Sequence, residues 1–458
     1  MNKLLSFMLL ISTTTLAQNN ISYSLLEAQD FALNNHLSIK NSALEIQKLE
    51  EQKKEYLAIG LPQVFANSGF NNFINLPVQV VSAKFINPNA SEGEVVSFKG
   101  GTDYSLLGNI QVNQLLFNGS YFVALAASKA LIDLQKTVAL QTKDDVVFNV
   151  SQAYHLAAVA KENLSFADSM LLITAQLLEK QKSILQVGVI TQEDVDQMNY
   201  AYLSAKNART SSELQFKNAM ALLKMAMFLP FDQEISLKES TSELLQKSNL
   251  SLSGLLSNNL TLQILQKQIL LDELDIRNKK MSVMPILKAQ FQHSYVAYRN
   301  ELNFFANQPW YPQTSWGIQF SMPIYTSGSN KAIISQSKIK LMQDENTLKI
   351  TNQALKMQEI QALNNLIGAK QRLELQKENV QLAGKIYANT LIKEKIGKES
   401  SIVVTQKYNQ LMIAQAQYTG SMVELFQAKL LLDKLYNQIL TIKYLGQILH
   451  FLEPLFRE

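Results

Sequence analysis

Cysteine is absent from all 458 residues. Its absence excludes disulfides, thiol catalysis and cysteine metal sites. Low-complexity tracts are also missing, and past the first twenty residues there is no apolar run of eighteen, so no transmembrane helix is expected. Charge of one sign is lacking too. Without Lys3 the chain carries 41 basic against 38 acidic residues, a balance that argues against nucleic-acid binding, which needs a concentrated basic face. The four histidines, His36, His155, His293 and His450, are far apart and show no HExxH or other metal spacing. G-x-S-x-G, Walker and Rossmann loops are missing, so no catalytic constellation and no cofactor are implied.

What is present begins with MNKLLSFMLLISTTTLAQ. Lys3, an apolar core from Leu4 to Ile11 and the small residues around Ala17 predict a secretory signal peptide over 1–17. No cysteine follows the cleavage site, which excludes the lipoprotein form of export. Such a chain, exported without disulfides, must hold together by packing or oligomerisation.

Proline is missing from the 69 steps between Gly119 and Gly188, and no glycine lies between those ends. Val150, Ala157, Leu164, Leu171, Leu178 and Leu185 repeat every seven residues, with Ala153, Ala160 and Ala167 three places after the first three. That spacing predicts one long helix with a coiled-coil seam, about 100 Å long at roughly 1.5 Å per residue. Gly328 and Gly397 enclose a second stretch of 69 steps.

The two stretches belong to a longer internal repeat. Asn258-Leu260-Leu262 and Pro285 repeat Asn35-Leu37-Ile39 and Pro62 at an offset of 223, while the paired glycines repeat at 209. The difference of 14 falls in the loop between two strands, where length changes are tolerated. The expected organisation is one continuous, duplicated architecture. Its first repeat covers 18–230, opening with a helix from Asn20 to Tyr56 capped by Ser24 and Glu27. Strands follow at about 62–74 and 105–117, joined by a polar loop from about Asn75 to Thr102, then helices at 120–187 and 192–228. A connector spans 231–250. The second repeat covers 251–445, with strands at about 286–298 and 314–325 and helices at 329–396 and 400–440, before a tail at 446–458.

The strands alternate apolar residues with Gln, Asn and Ser, and aromatic residues cluster near the loop ends (Phe70, Phe73, Tyr295, Tyr298, Phe304, Phe305, Trp310, Tyr311, Trp316). Strands of about ten residues can cross a bilayer when tilted. Strands in hydrocarbon must close into a barrel, and four are too few, so several chains would pool theirs. Ordinary hairpins on a soluble core remain the alternative reading of the local pattern.

Nearly the whole mature chain resembles the TolC family of outer-membrane efflux channels. The resemblance is carried by LLEAQDFALNNHLSI (Leu25 to Ile39), GLPQV (Gly60 to Val64), LLFNGS (Leu115 to Ser120) and IYTSGS (Ile324 to Ser329). The helical turns VGVITQEDV (Val187 to Val195) and IGKESSIVV (Ile396 to Val404) complete it. It implies a membrane β-barrel plus a long α-helical barrel, four strands per chain and twelve in a homotrimer. It also implies the cell outer membrane, with its lipid and a long periplasmic portion, as the location. The implied partners are a periplasmic adaptor protein and an inner-membrane transporter, and the channel itself would hydrolyse nothing.

By the same resemblance the periplasmic tips, with adaptor contact, fall at Gly188, Val189, Thr191, Gly397, Lys398 and Ser400. The family's best-known members carry acidic residues just after the second turn, but the matching positions here, Val403 and Gln406, are uncharged. Glu193, Asp194 and Asp196 after the first turn are the other aperture candidates; the plainer reading is a helix N-terminus stabilised by acids. The expected function is passive export of small molecules through a tripartite efflux system. A duct for type I protein secretion and a secreted coiled-coil scaffold are the alternatives.

Overall fold

The computed structural model describes residues 21–247 and 254–439. The expected signal peptide over 1–17 and the tail at 446–458 lie outside the described residues. The chain opens with β1 (Ile21–Tyr23), α1 (Leu25–Asn35) and α2 (Leu37–Ile59), then β2 (Gln63–Asn72), β3 (Val78–Ser82), β4 (Val95–Lys99) and β5 (Tyr104–Asn118). Helices α3 (Gly119–Gln186) and α4 (Gln192–Met227) follow, with β6 (Ile235–Leu237) and α5 (Thr241–Lys247) after them. The rest comprises α6 (Leu260–Met281), β7 (Ile286–Arg299), β8 (Tyr311–Ser321), α7 (Ser329–Lys395) and α8 (Ser401–Leu435).

Two compact units emerge, and neither follows the halves of the sequence. A helical unit takes residues up to Leu44, Lys136–Ile264 and the chain from Leu348 on. A sheet unit takes Glu45–Gln135 and Leu265–Thr347.

In the helical unit, Val150, Ala157 and Leu178 of the heptad seam are buried and Leu164, Leu171 and Leu185 half-buried, while Ala153, Ala160 and Ala167 are all buried. Small residues beside the seam let a neighbouring helix approach closely, which suits the coiled-coil spacing. One core joins Ala28, Ala32, Val150, Tyr154, Leu223, Leu366, Met422 and Phe426. A second joins Leu178, Val195, Met198, Tyr387, Val404 and Tyr408 near the ends of α3, α4, α7 and α8.

The expected helix from Asn20 to Tyr56 is three elements. β1 pairs in parallel with β6, and the chain then breaks at His36, whose backbone is extended (φ −64°, ψ 127°). The Ser24 and Glu27 capping box forms as the spacing predicts, with each side chain bonded to the other's backbone. The connector holds β6 and α5. The polar loop contains a β3–β4 hairpin, and the last long strand ends at Ser321, four residues before the expected boundary. Pro323 lacks the N–H that would extend it.

In the sheet unit, β2, β5, β7 and β8 form one antiparallel sheet in that order. Among the described residues both edges, β2 and β8, are unpaired. A register shift between Leu115 and Phe117 keeps Phe117 opposite Leu287.

Candidate functional site: a two-faced sheet and two helical tips

Successive residues of a strand point to opposite faces, so the register sorts the sheet into two surfaces. One carries Val64, Phe70, Val112, Phe117, Leu287, Phe291, Trp316, Ile318 and Phe320, with Val64, Trp316, Ile318 and Phe320 each more than half exposed. Its main polar pair is self-satisfied, because His293 Nδ1 and Thr314 Oγ1 share a hydrogen bond of 2.7 Å. The other face carries Gln63, Asn67, Asn109, Gln111, Asn113, Gln290, Gln292, Ser294, Gln313, Ser315 and Gln319, with Lys288. Phe65, Leu107, Leu115, Ile286 and Val296 are its apolar exceptions, with Tyr298 and Tyr311 toward the loops. A sheet of a soluble domain covers its apolar side; here both sides stay largely open.

The aromatic residues divide. Phe70 packs against Phe304 and Tyr104, with ring centroids 5.8 and 6.1 Å away, and Tyr298 meets Tyr311 at 6.1 Å, all at the loop end. Trp316 sits five residues into β8, opposite Phe291, rather than at the loops.

At the tips, Gly188 and Gly397 adopt φ of +75° and +73°. A side chain there would crowd the backbone, so glycine is the residue that closes each helix. The closing hydrogen bonds match. Gly188 N donates to Leu185 O (2.9 Å) and Val189 N to Ile184 O (3.5 Å); Gly397 N donates to Glu394 O (3.0 Å) and Lys398 N to Lys393 O (2.9 Å). Val189 is 74% exposed, so a large apolar side chain stands open at the first tip.

The next helices start differently. Thr191 caps α4 in a reciprocal box with Asp194, which accepts from both the Thr191 N–H (3.1 Å) and its hydroxyl (2.8 Å). Asp196 accepts from Gln192 (2.9 Å), and Glu193 is exposed. Ser400 caps α8 by backbone geometry alone, without a side-chain hydrogen bond. Val403 is half-buried and Gln406 exposed, while Lys398 and Ser400 are both exposed.

One group at this end has no counterpart in the sequence reading. Glu394 of α7 is buried and accepts from Lys180 (2.9 Å) and Gln181 (2.6 Å) of α3. The available signal was its place on the buried stripe Ala383, Tyr387, Thr390, Glu394, where a charge demands a partner.

Farther along the helical unit is a 760 Å³ cavity whose lining includes His36, Asp145, Asn149, His155, Met225 and Phe426. His155 is a packing residue, stacked on Phe426 at 4.2 Å, and burial pushes its imidazole down to about 4. Among the described residues no three His, Asp or Glu side chains group to hold a metal. No described helix is long and apolar enough to cross a membrane.

The family model described as outer membrane efflux protein matches residues 252–438. No curated protein matches the sequence. Among solved structures, CusC superposes with a TM-score of 0.71 at 14% identity, covering 91% of this chain and 92% of its own. The outer membrane protein VceC of Vibrio cholerae gives 0.65 at 13% identity, over 90% of this chain and 95% of its own. The CmeC outer membrane channel of Campylobacter jejuni gives 0.66 at 15%, over 90% and 85%.

Proposed function

We propose, from the match of residues 252–438 to the family model of outer membrane efflux proteins, that the whole chain is a TolC-type exit duct. Three copies pool four strands each into a twelve-stranded barrel in the outer membrane, and the long helices form a periplasmic tunnel. A periplasmic adaptor and an inner-membrane transporter feed it, and small molecules pass through without any bond being hydrolysed.

The observation that carries this reading is the sheet. Its apolar face suits lipid, its Gln, Asn and Ser face suits a wet lumen, and its two open edges suit closure against other copies. Near-equal lengths support the duplication: 68 and 67 residues in α3 and α7, and 36 and 35 in α4 and α8. The repeats would then run 18–230 and 251–445.

Adaptor contact is assigned to the tips around Gly188, Val189, Thr191, Gly397, Lys398 and Ser400. Glu193, Asp194, Asp196, Val403 and Gln406 line the aperture in this reading. Asp194 acts there first as a cap, since its carboxylate is already bonded to Thr191.

Fractionation with native mass measurement in mild detergent tests the proposal. The protein is expected in the outer membrane and as three chains per particle. Release as a soluble monomer by osmotic shock would overturn it. The transporter that co-purifies decides whether cargo is a small molecule or a polypeptide.

A further inference from the structure

The four strands of the sheet carry almost no charge. β2, β5 and β8 contain no Lys, Arg, Asp or Glu, and β7 contains only Lys288 and Arg299. Arg299 is 3% exposed and spends its guanidinium on the carbonyl oxygens of Tyr298, Gln308 and Pro309. Lys288 is exposed, lies on the polar face between Leu115 and Gln319, and has no ion pair among the described residues. The polar face is therefore an amide and hydroxyl surface bearing one cation and no anion.

We propose that the lumen lined by this face favours anionic over cationic solutes, and that Lys288 sets the preference. The inference rests on the channel reading above, in which the polar face lines the pore. Three copies then place a ring of three ammonium groups at one level. Twelve strands about 4.8 Å apart and tilted by about 40° set the backbone about 12 Å from the axis. Side chains reaching inward lie about one Debye length from every permeating ion at roughly 0.1 M salt.

Loop charges do not cancel this ring. Lys84 and Lys99 stand against Glu92, Glu94, Asp103 and Glu301, an acidic surplus at the opposite end of the strands. From Lys288 to Arg299, where the loop begins, the strand rises about 37 Å, several Debye lengths. Nor do the four strands supply acids of their own, so a cation passing this level of the barrel meets repulsion without compensation.

The test is the reversal potential of purified trimers in planar bilayers under a KCl gradient. Because the acidic aperture also acts on the whole-duct ratio, the readout is the change at this one position: Lys288 is expected to raise the chloride-to-potassium ratio about two- to threefold near 0.1 M salt, an effect that fades as salt rises. Lys288→Gln is expected to lower that ratio about two- to threefold, and Lys288→Glu to lower it further, while the loop substitution Lys99→Gln leaves it unchanged.

Because the natural chain has no cysteine, Lys288→Cys introduces a single thiol per subunit. A cationic methanethiosulfonate should return the chloride-to-potassium ratio to the wild-type value, and an anionic one should lower it further. A steady pore whose ion ratio ignores both the substitutions and the reagents would overturn this inference while leaving the channel reading intact. Wild-type trimers that carry no current would overturn both.

Discussion

At Asp144 on α3 the protein holds a carboxyl where little water reaches it. The residue is buried, its Oδ1 has no hydrogen-bond partner, and burial pushes the acid up to about 6 against the opposing pull of Lys434. A carboxyl whose folded value lies above its unfolded one binds its proton more tightly in the folded state. Folding is therefore penalised progressively as pH rises from about 4 to about 6, and the full penalty remains above that. Asp144→Asn removes the titration. In detergent-solubilised protein it is expected to stabilise by about 1–2 kcal/mol at pH 7.5, after discounting for the water that still reaches the group. The gain should vanish near pH 4. Thermal unfolding of both proteins at the two pH values measures the difference, and an equal shift at both would show that charge is not its origin.

At the scale of the element, the two tips share a glycine turn and differ in the helix that follows. Thr191 gives its hydroxyl to the α4 cap, and Ser400 gives α8 no side-chain bond. Thr191→Ala should cost about 1 kcal/mol locally, near the middle of the range for lost caps. Amide exchange in the first turn of α4 should then run about fivefold faster, while Ser400→Ala leaves the first turn of α8 unchanged. Equal acceleration in both would refute the asymmetry. These turns were legible in the sequence because a proline-free run bounded by glycines is a local pattern, and so is the alternation along β2 and β8. Less local features were not. The chain from Leu37 to Ile46 continues an apolar helical pattern, so nothing nearby marks the break at His36. β1 and β6 are three residues each and find one another across more than two hundred positions. Glu394 and Lys180 are 214 residues apart, a pairing that only the packed helices bring about. The β3–β4 hairpin was hidden by the Asn, Gly, Ser and Pro around it, which read as loop.

For the whole molecule the decisive question is what occupies the edges of the sheet. An open edge in hydrocarbon leaves backbone N–H and C=O groups unpaired at several kcal/mol apiece, so a membrane sheet of this kind must close. Within one chain β2 and β8 are separated by β5 and β7, about 14 Å at the usual strand spacing. Cysteines on those edges lie too far apart to bridge inside one chain, since a disulfide needs α-carbons within about 7 Å. Any bond that forms must join two copies, and the natural chain has no cysteine to confuse the result. Asn67→Cys combined in turn with Gln313→Cys, Ser315→Cys and Gly317→Cys samples three registers on the polar face. In at least one combination, oxidation is expected to yield a covalent species of three chains and nothing larger, because a ring closes and a filament does not. Longer ladders would indicate open-ended pairing, and monomer in all three combinations would contradict edge-to-edge closure through these strands.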